Sequence, residues 1–333
     1  MGLDHVEQGL PSPAPGWGFR ALSLSAVLAT FALITVGGVV RLTGSGLGCP
    51  DWPLCHGQVV PPTQSYHTII EYSHRLLASL VSILVVSLAG VAWWRYRARR
   101  PIVVAATLAL VTLGLQVILG GITVLTELPP AVVTLHLGVA QLLLALLVAA
   151  LIWGWQGEPR SGGAEMAPER TSARRRMRRW IHAAAGGTFL LVLSGSYVVA
   201  ANATASCPGW PLCDGGLLPA NQPQWIHMAH RWLGALAGGL VVWGGLLSWR
   251  ARRQRPEVGV LGAVTLALFV AQVMVGAANP WTGFVWPMRA LHLSLATALW
   301  GSVVALLVLV YQARAGQHGA LESGARSPGE ARR

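Results

Sequence analysis

Eight apolar runs punctuate this sequence, near residues 20–41, 67–94, 101–121, 131–154, 180–201, 224–249, 257–277 and 287–312. About 20 apolar residues in helical form cross the hydrocarbon core of a bilayer, and each run reaches that length. The pattern predicts eight transmembrane helices and an all-α membrane protein. The polar stretches between the runs differ in kind. Connections at 95–100, 155–179 and 250–255 hold four, seven and four arginines, whereas 42–66, 122–133, 203–222 and 278–288 hold none. Basic connections stay on the cytoplasmic side, which puts both termini there and the arginine-free loops outside.

Composition agrees with the pattern. A chain of 333 residues that is 53% hydrophobic and 11% charged, with a mean hydropathy of +0.54, is not an ordinary soluble globule. A net charge of +12 raises nucleic acid as a partner. Blocks such as Arg174, Arg175 and Arg176 are instead the topological signal of a membrane protein, so no nucleic acid is expected. The first nineteen residues carry Asp4, Glu7 and three prolines, with no basic region leading into a short apolar core. The first run is therefore read as a retained span. All the basic residues are arginine, a bias that points to a GC-rich bacterial genome and hence to the plasma membrane.

The chain repeats itself. Residues 49–57, CPDWPLCHG, recur at 207–215 as CPGWPLCDG, an offset of 158. The offset then becomes 156, which carries His74 and Arg75 onto His230 and Arg231, Gln116 onto Gln272, and His136 onto His292. The expected organisation is a cytoplasmic tail at 1–19, a four-helix bundle at 20–154, and an Arg-rich cytoplasmic linker at 155–179 containing Pro159, Gly162, Gly163 and Pro168. A second four-helix bundle at 180–312 and a cytoplasmic tail at 313–333 complete it. With four spans per unit, both halves enter the membrane from the same side and form two pseudo-symmetric bundles about an axis along the membrane normal.

Four histidines, His74, His136, His230 and His292, fall near the outer ends of four of these runs. Imidazole within an apolar span is costly unless something holds it. One histidine from the second and one from the fourth helix of each half can face each other and supply both axial positions of a haem iron. Zinc or copper would also accept imidazole, but two histidines without a thiolate at that depth are an incomplete set for either. The bland reading, a hydrogen-bonded packing residue, suits one histidine better than four in register. Arg75 and Arg231 follow two of them and are candidate propionate contacts, with snorkelling arginine as the alternative. Gln116 and Gln272 read as interhelical hydrogen bonders.

The cysteines, Cys49, Cys55, Cys207 and Cys213, lie in external loops, six residues apart within each pair. An oxidising location favours one disulfide per loop over a four-thiolate metal site joining both. Whether such a disulfide is a staple or a redox element is left open by the residues. Glu71 is the one acid set on an apolar helix above a ligand candidate, three residues before His74 and on its face. The matching residue of the second half is His227. A general base or a stabiliser of developing charge would thus be present in one half only, unless Glu71 merely pairs with Arg75 or Arg41.

The doubled Cys-Pro-X-Trp-Pro-Leu-Cys loop, Glu-Tyr-Ser-His-Arg at 71–75 and the Leu-His-Leu around His136 and His292 closely resemble the heme A synthase family, over nearly all of residues 20–312. The resemblance implies eight transmembrane helices in two pseudo-symmetric bundles. The implied activity oxidises a methyl group of haem O to the formyl group of haem A for cytochrome oxidase assembly. By the same resemblance, the N-terminal half with His74, His136 and Glu71 receives haem O as substrate. The C-terminal half with His230 and His292 keeps haem b as an electron-transfer cofactor. Implied partners are membrane lipid, the enzyme that makes haem O, the cytochrome oxidase assembly machinery and an electron acceptor. Read from the residues alone, a non-catalytic di-haem cytochrome b and a haem transporter or chaperone are the other classes. The first gives no reason for Glu71, and the second lacks a ligand set at the inner ends.

Overall fold

The computed structural model describes residues 15–62, 65–156, 168–213, 215–216 and 218–312. Within them run eight long helices: α1 (Trp17–Leu42), α2 (Tyr66–Arg95), α3 (Arg100–Leu125), α4 (Pro130–Gln156), α5 (Pro168–Ala200), α6 (Gln222–Arg250), α7 (Pro256–Trp281) and α8 (Trp286–Tyr311). All eight are long and apolar enough to cross a membrane. The shortest have 26 residues, about 39 Å of helix at 1.5 Å per residue, against a hydrocarbon core of roughly 30 Å. Helix wins over strand because lipid offers no partner for backbone N–H and C=O groups, and a helix satisfies them within one segment. Proline marks the starts, as the first helical residue of α4, α5 and α7 and within the first two of α3, α6 and α8, where its missing N–H costs nothing.

Outward surfaces are apolar: Leu28, Ile83, Val111, Leu236 and Val260 are all exposed. Such faces are wrong for water and right for acyl chains. Trp17, Trp94, Trp155 and Trp249 are exposed at the arginine-rich helix ends, where an amphipathic ring sits at a headgroup boundary.

In the first half, α1 packs on α2, α2 on α3, α3 on α4 and α4 back on α1. In the second, α5, α6, α7 and α8 close the same kind of ring. Two consequences follow. Within each ring α2 lies diagonal to α4 and α6 to α8, so inward-facing residues of those helices approach across the ring's interior. The rings meet along α1·α8, α4·α5 and α4·α8. That seam contains much of the buried core, including Ile34, Leu144, Val148, Ala184, Leu299, Trp300 and Val303. It also carries polar ties, with Gln141 donating to Thr297 Oγ1 at 3.0 Å and the Trp300 indole donating to the Gln141 carbonyl at 2.9 Å. Gln141 and Thr297 are matching positions of the repeat, so the seam joins equivalent points of the two halves.

The fifth helix departs from the sequence expectation. It starts at Pro168, before the apolar run expected from about residue 180, so Arg174 to Arg179 of the expected linker form early turns of α5. The segment from Thr171 has neither glycine nor proline and is rich in arginine, a good helix former. Arg174 and Arg255 then donate to the carbonyls of Val310 and Leu309, at 3.0 and 2.8 Å, and cap the C-terminus of α8. Pro159, Gly162 and Gly163 of the expected linker lie outside the described residues, as do residues 1–14 and 313–333 of the expected tails.

Candidate functional site

Four helices carry the four histidines at matched positions, and each imidazole lies against a glycine of the preceding helix. A Cβ on Gly37 (α1) would stand 3.0 Å from Cε1 of His74, and one on Gly195 (α5) 3.0 Å from Cε1 of His230. The corresponding distances are 3.4 Å from Gly120 (α3) to His136 and 2.9 Å from Gly276 (α7) to His292. Any larger residue at most of these places would displace the ring. These glycines escaped the sequence reading. Their signal was the same repeat, because Gly37 and Gly195 stand 158 apart and Gly120 and Gly276 stand 156 apart.

Position on diagonal helices brings His74 and His136 within Coulombic reach of each other, and likewise His230 and His292. Gln116 on α3 contacts Nε2 of His136 at 3.2 Å, and Gln272 on α7 contacts Nε2 of His292 at 3.2 Å. An amide nitrogen is only a donor, so both Nε2 atoms accept, their lone pairs engaged by the glutamine N–H groups, and the ring proton is on Nδ1. The expectation that the two glutamines bond between helices is met, and their partners are the histidines themselves. Among the described residues, the Nδ1 atoms of His74, His136 and His292 are buried without a hydrogen-bond partner. Imidazoles in pairs within an apolar ring are the donor set that suits a bis-histidine haem, and at His136 and His292 an iron would take the place of the glutamine N–H on Nε2.

Glu71 is buried on α2 and accepts from Arg75 Nε at 3.0 Å. The i,i+4 pairing weighed above therefore forms. Its counterpart His227 is also buried and contacts the Ala203 carbonyl through Nδ1 at 3.2 Å. One half thus presents a carboxylate near the loop end of the ring and the other an imidazole tied to backbone.

Arg75 and Arg231, the candidate propionate contacts, both reach into the loops. Arg75 directs Nη1 to the carbonyls of Asp51 and Leu54, at 2.9 and 2.7 Å, and Nη2 to that of Cys49 at 2.9 Å. Arg231 treats the second loop alike, reaching Gly209 at 2.7 Å, Leu212 at 3.1 Å and Cys207 at 3.1 Å. Each guanidinium gathers the carbonyls of a tight loop and holds that loop on its helix. Two other arginines at the loop end, Arg41 on α1 and Arg289 on α8, have buried Nε atoms without partners among the described residues.

The loops are compact. Cys49 pairs with Cys55 and Cys207 with Cys213, so the four-thiolate alternative does not form. The Trp52–Pro53 and Trp210–Pro211 bonds are both cis. In the first loop Asp51 accepts the backbone N–H groups of Gly57 and His56, at 2.8 and 2.6 Å, and the Gly57 bond leads in holding its carboxyl below the usual range. Trp52 lies over Gly121 of α3, closing the loop down on the first ring. Peptide mapping of chains alkylated before reduction is expected to recover both short-range cysteine pairs as linked peptides. Full alkylation of all four thiols in fresh membranes would contradict this pairing.

The sequence model of a family described as cytochrome oxidase assembly protein matches residues 20–304. A protein named heme A synthase from an Exiguobacterium species is 30% identical over 305 residues, covering 91% of this chain and 95% of its own length. One of the same name from Geobacillus thermodenitrificans is 30% identical over 312 residues, covering 89% and 93%. Another, from Bacillus cereus, is 28% identical over 295 residues, covering 87% and 93%.

Proposed function

The chain belongs to the cytochrome oxidase assembly protein family, and from that premise we propose that it is a heme A synthase, oxidising a methyl group of haem O to the formyl group of haem A. The observation that carries this reading is one pair of glycine-seated imidazoles per ring, with a buried carboxylate three residues before a histidine of one pair only, where the other half has His227. Two like haem sites explain four histidines. A reaction in one ring gives a reason for a carboxylate in that ring alone.

In this reading haem O is the substrate of the first ring, held by His74 and His136, and haem b is the cofactor of the second, held by His230 and His292. Bound there, haem b supplies one-electron transfer. The protein's part is placement and electrostatics. Glu71, one turn toward the loops from His74, takes protons from the reacting carbon's surroundings or stabilises positive charge developing there. With water supplying the oxygen, methyl to formyl releases four electrons and four protons (R–CH3 + H2O → R–CHO + 4 H+ + 4 e−), and the haem that His230 and His292 would hold would relay the electrons to an external acceptor. Arg41 and Arg289 offer unpartnered guanidinium nitrogen for propionates at the loop end, where Arg75 and Arg231 are committed to loop carbonyls. The arginine distribution supports both termini lying in the cytoplasm. The partners are then the enzyme that makes haem O and the machinery that assembles cytochrome oxidase.

Membranes of a host that makes haem O but no haem A, once they contain this protein, are expected to yield haem A on extraction. Haem O unchanged beside normal protein and haem b levels would leave a di-haem cytochrome as the reading.

A further inference from the structure

The two rings differ at the back of one ligand. Nδ1 of His230 lies 2.8 Å from Ser194 Oγ, while the same hydroxyl lies 2.8 Å from the Leu191 carbonyl. A serine hydroxyl has one proton. A carbonyl can only accept, so Ser194 donates to Leu191 and accepts from His230 Nδ1–H. That fixes the ring's tautomer and leaves the lone pair on Nε2. Among the described residues, both histidines of the first ring, His74 and His136, have buried Nδ1 atoms without a partner. Position 194 maps by the offset of 158 onto Val36, which has no polar side-chain atom to offer His74. The adjoining glycines, Gly37 and Gly195, hold the two rings at equal closeness, and valine in place of serine is the local difference that removes a partner for Nδ1.

A ligand imidazole that donates its remote N–H is fixed in orientation and is the more basic donor to iron. Removing such a partner typically weakens metal binding by about 10- to 100-fold. We propose that Ser194 is a positioning residue that makes the second ring a retaining haem site, and that Val36 leaves the first ring an exchanging one. This deepens the reading of the rings given above and rests on it. A cofactor has to stay through many turnovers, whereas a substrate has to enter and its product has to leave, so opposite demands fall on chemically similar histidine pairs. The absence of a hydrogen bond behind His74 is, on this argument, as functional as its presence behind His230.

The test uses the purified holoprotein and excess apomyoglobin as a haem scavenger. Ser194→Val, which copies the first ring, is expected to release haem b on the order of 10-fold faster and to raise its midpoint potential. Ser194→Thr keeps a hydroxyl and is expected to restore both. The reciprocal Val36→Ser is expected to slow haem release from the first ring without moving the potential of haem b. Release rate and potential at wild-type values in Ser194→Val would overturn the proposal, as would equal losses in Ser194→Val and Ser194→Thr. His292→Ala, run alongside, keeps the two readings separable. If it retains haem b, the assignment of the second ring fails. If it loses haem b while Ser194→Val behaves as wild type, only the retention argument fails.

Discussion

Purified His292→Ala protein is expected to lack the low-spin haem b spectrum that the wild type carries, with haem content falling from about one per chain in the second ring to near none. His292 sits on α8, diagonal to His230 on α6, and its Nε2 lone pair faces Gln272 across the interface with α7. Alanine deletes the imidazole and leaves a polar gap beside an amide. Gly276, which now gives the ring its space, adds nothing to fill it. The helix itself should persist, because alanine is the best helix former and α8 is anchored elsewhere through Trp300 and Thr297. His230→Ala is expected to behave the same way, and imidazole added to either variant should recover part of the band. An unchanged spectrum and haem content in both variants would remove the second ring as a haem site.

Much of this arrangement was legible because a bilayer is a strict solvent. Backbone polar groups in lipid are satisfied by helix, so an apolar run of sufficient length reads directly as a helix, and all eight runs are helices here. Runs mark the apolar stretch and not the helix, which is why α5 was misjudged. Its first turns are arginine-rich and precede the apolar run, where composition no longer distinguishes helix from linker. The histidines stood out because duplication repeats them at fixed offsets and because an ionisable ring is rare in such surroundings. The glycines behind them are duplicated too, yet they stand among 39 glycines, many of which serve close contact elsewhere. Ser194 was beyond reach for a different reason. Its meaning is a hydrogen bond across two helices, and nothing in one strand of sequence says which hydroxyl meets which ring nitrogen. The arginine clamps were hidden likewise, since the direction of a side chain at the mouth of a ring depends on where a loop of nine residues folds back.

Glu71→Gln is expected to cut haem A yield by about 100-fold or more while haem O, or a partly oxidised form, accumulates on the protein. The structure sharpens what this substitution removes. Glu71 accepts from Arg75 Nε, and Arg75 in turn gathers the carbonyls of Cys49, Asp51 and Leu54, so alanine there would disturb charge and loop together. Glutamine keeps the volume and an amide oxygen able to accept the same Arg75 N–H, and it removes the negative charge and the capacity to take a proton. Loop and catalytic roles then separate. If Glu71 serves only as the partner that orients Arg75, glutamine should leave haem A near the wild-type yield, because the loop stays clamped. If the carboxylate acts on the reacting methyl, product falls although the loop, the disulfide and haem b in the second ring are unaltered. Chromatography of haem extracts from wild type and variant at equal protein level, with the haem b spectrum as internal control, distinguishes the two. Glu71→Asp retains the charge but withdraws it by one methylene, and it is expected to fall between them, since a base or counter-charge depends on reach as well as on ionisation.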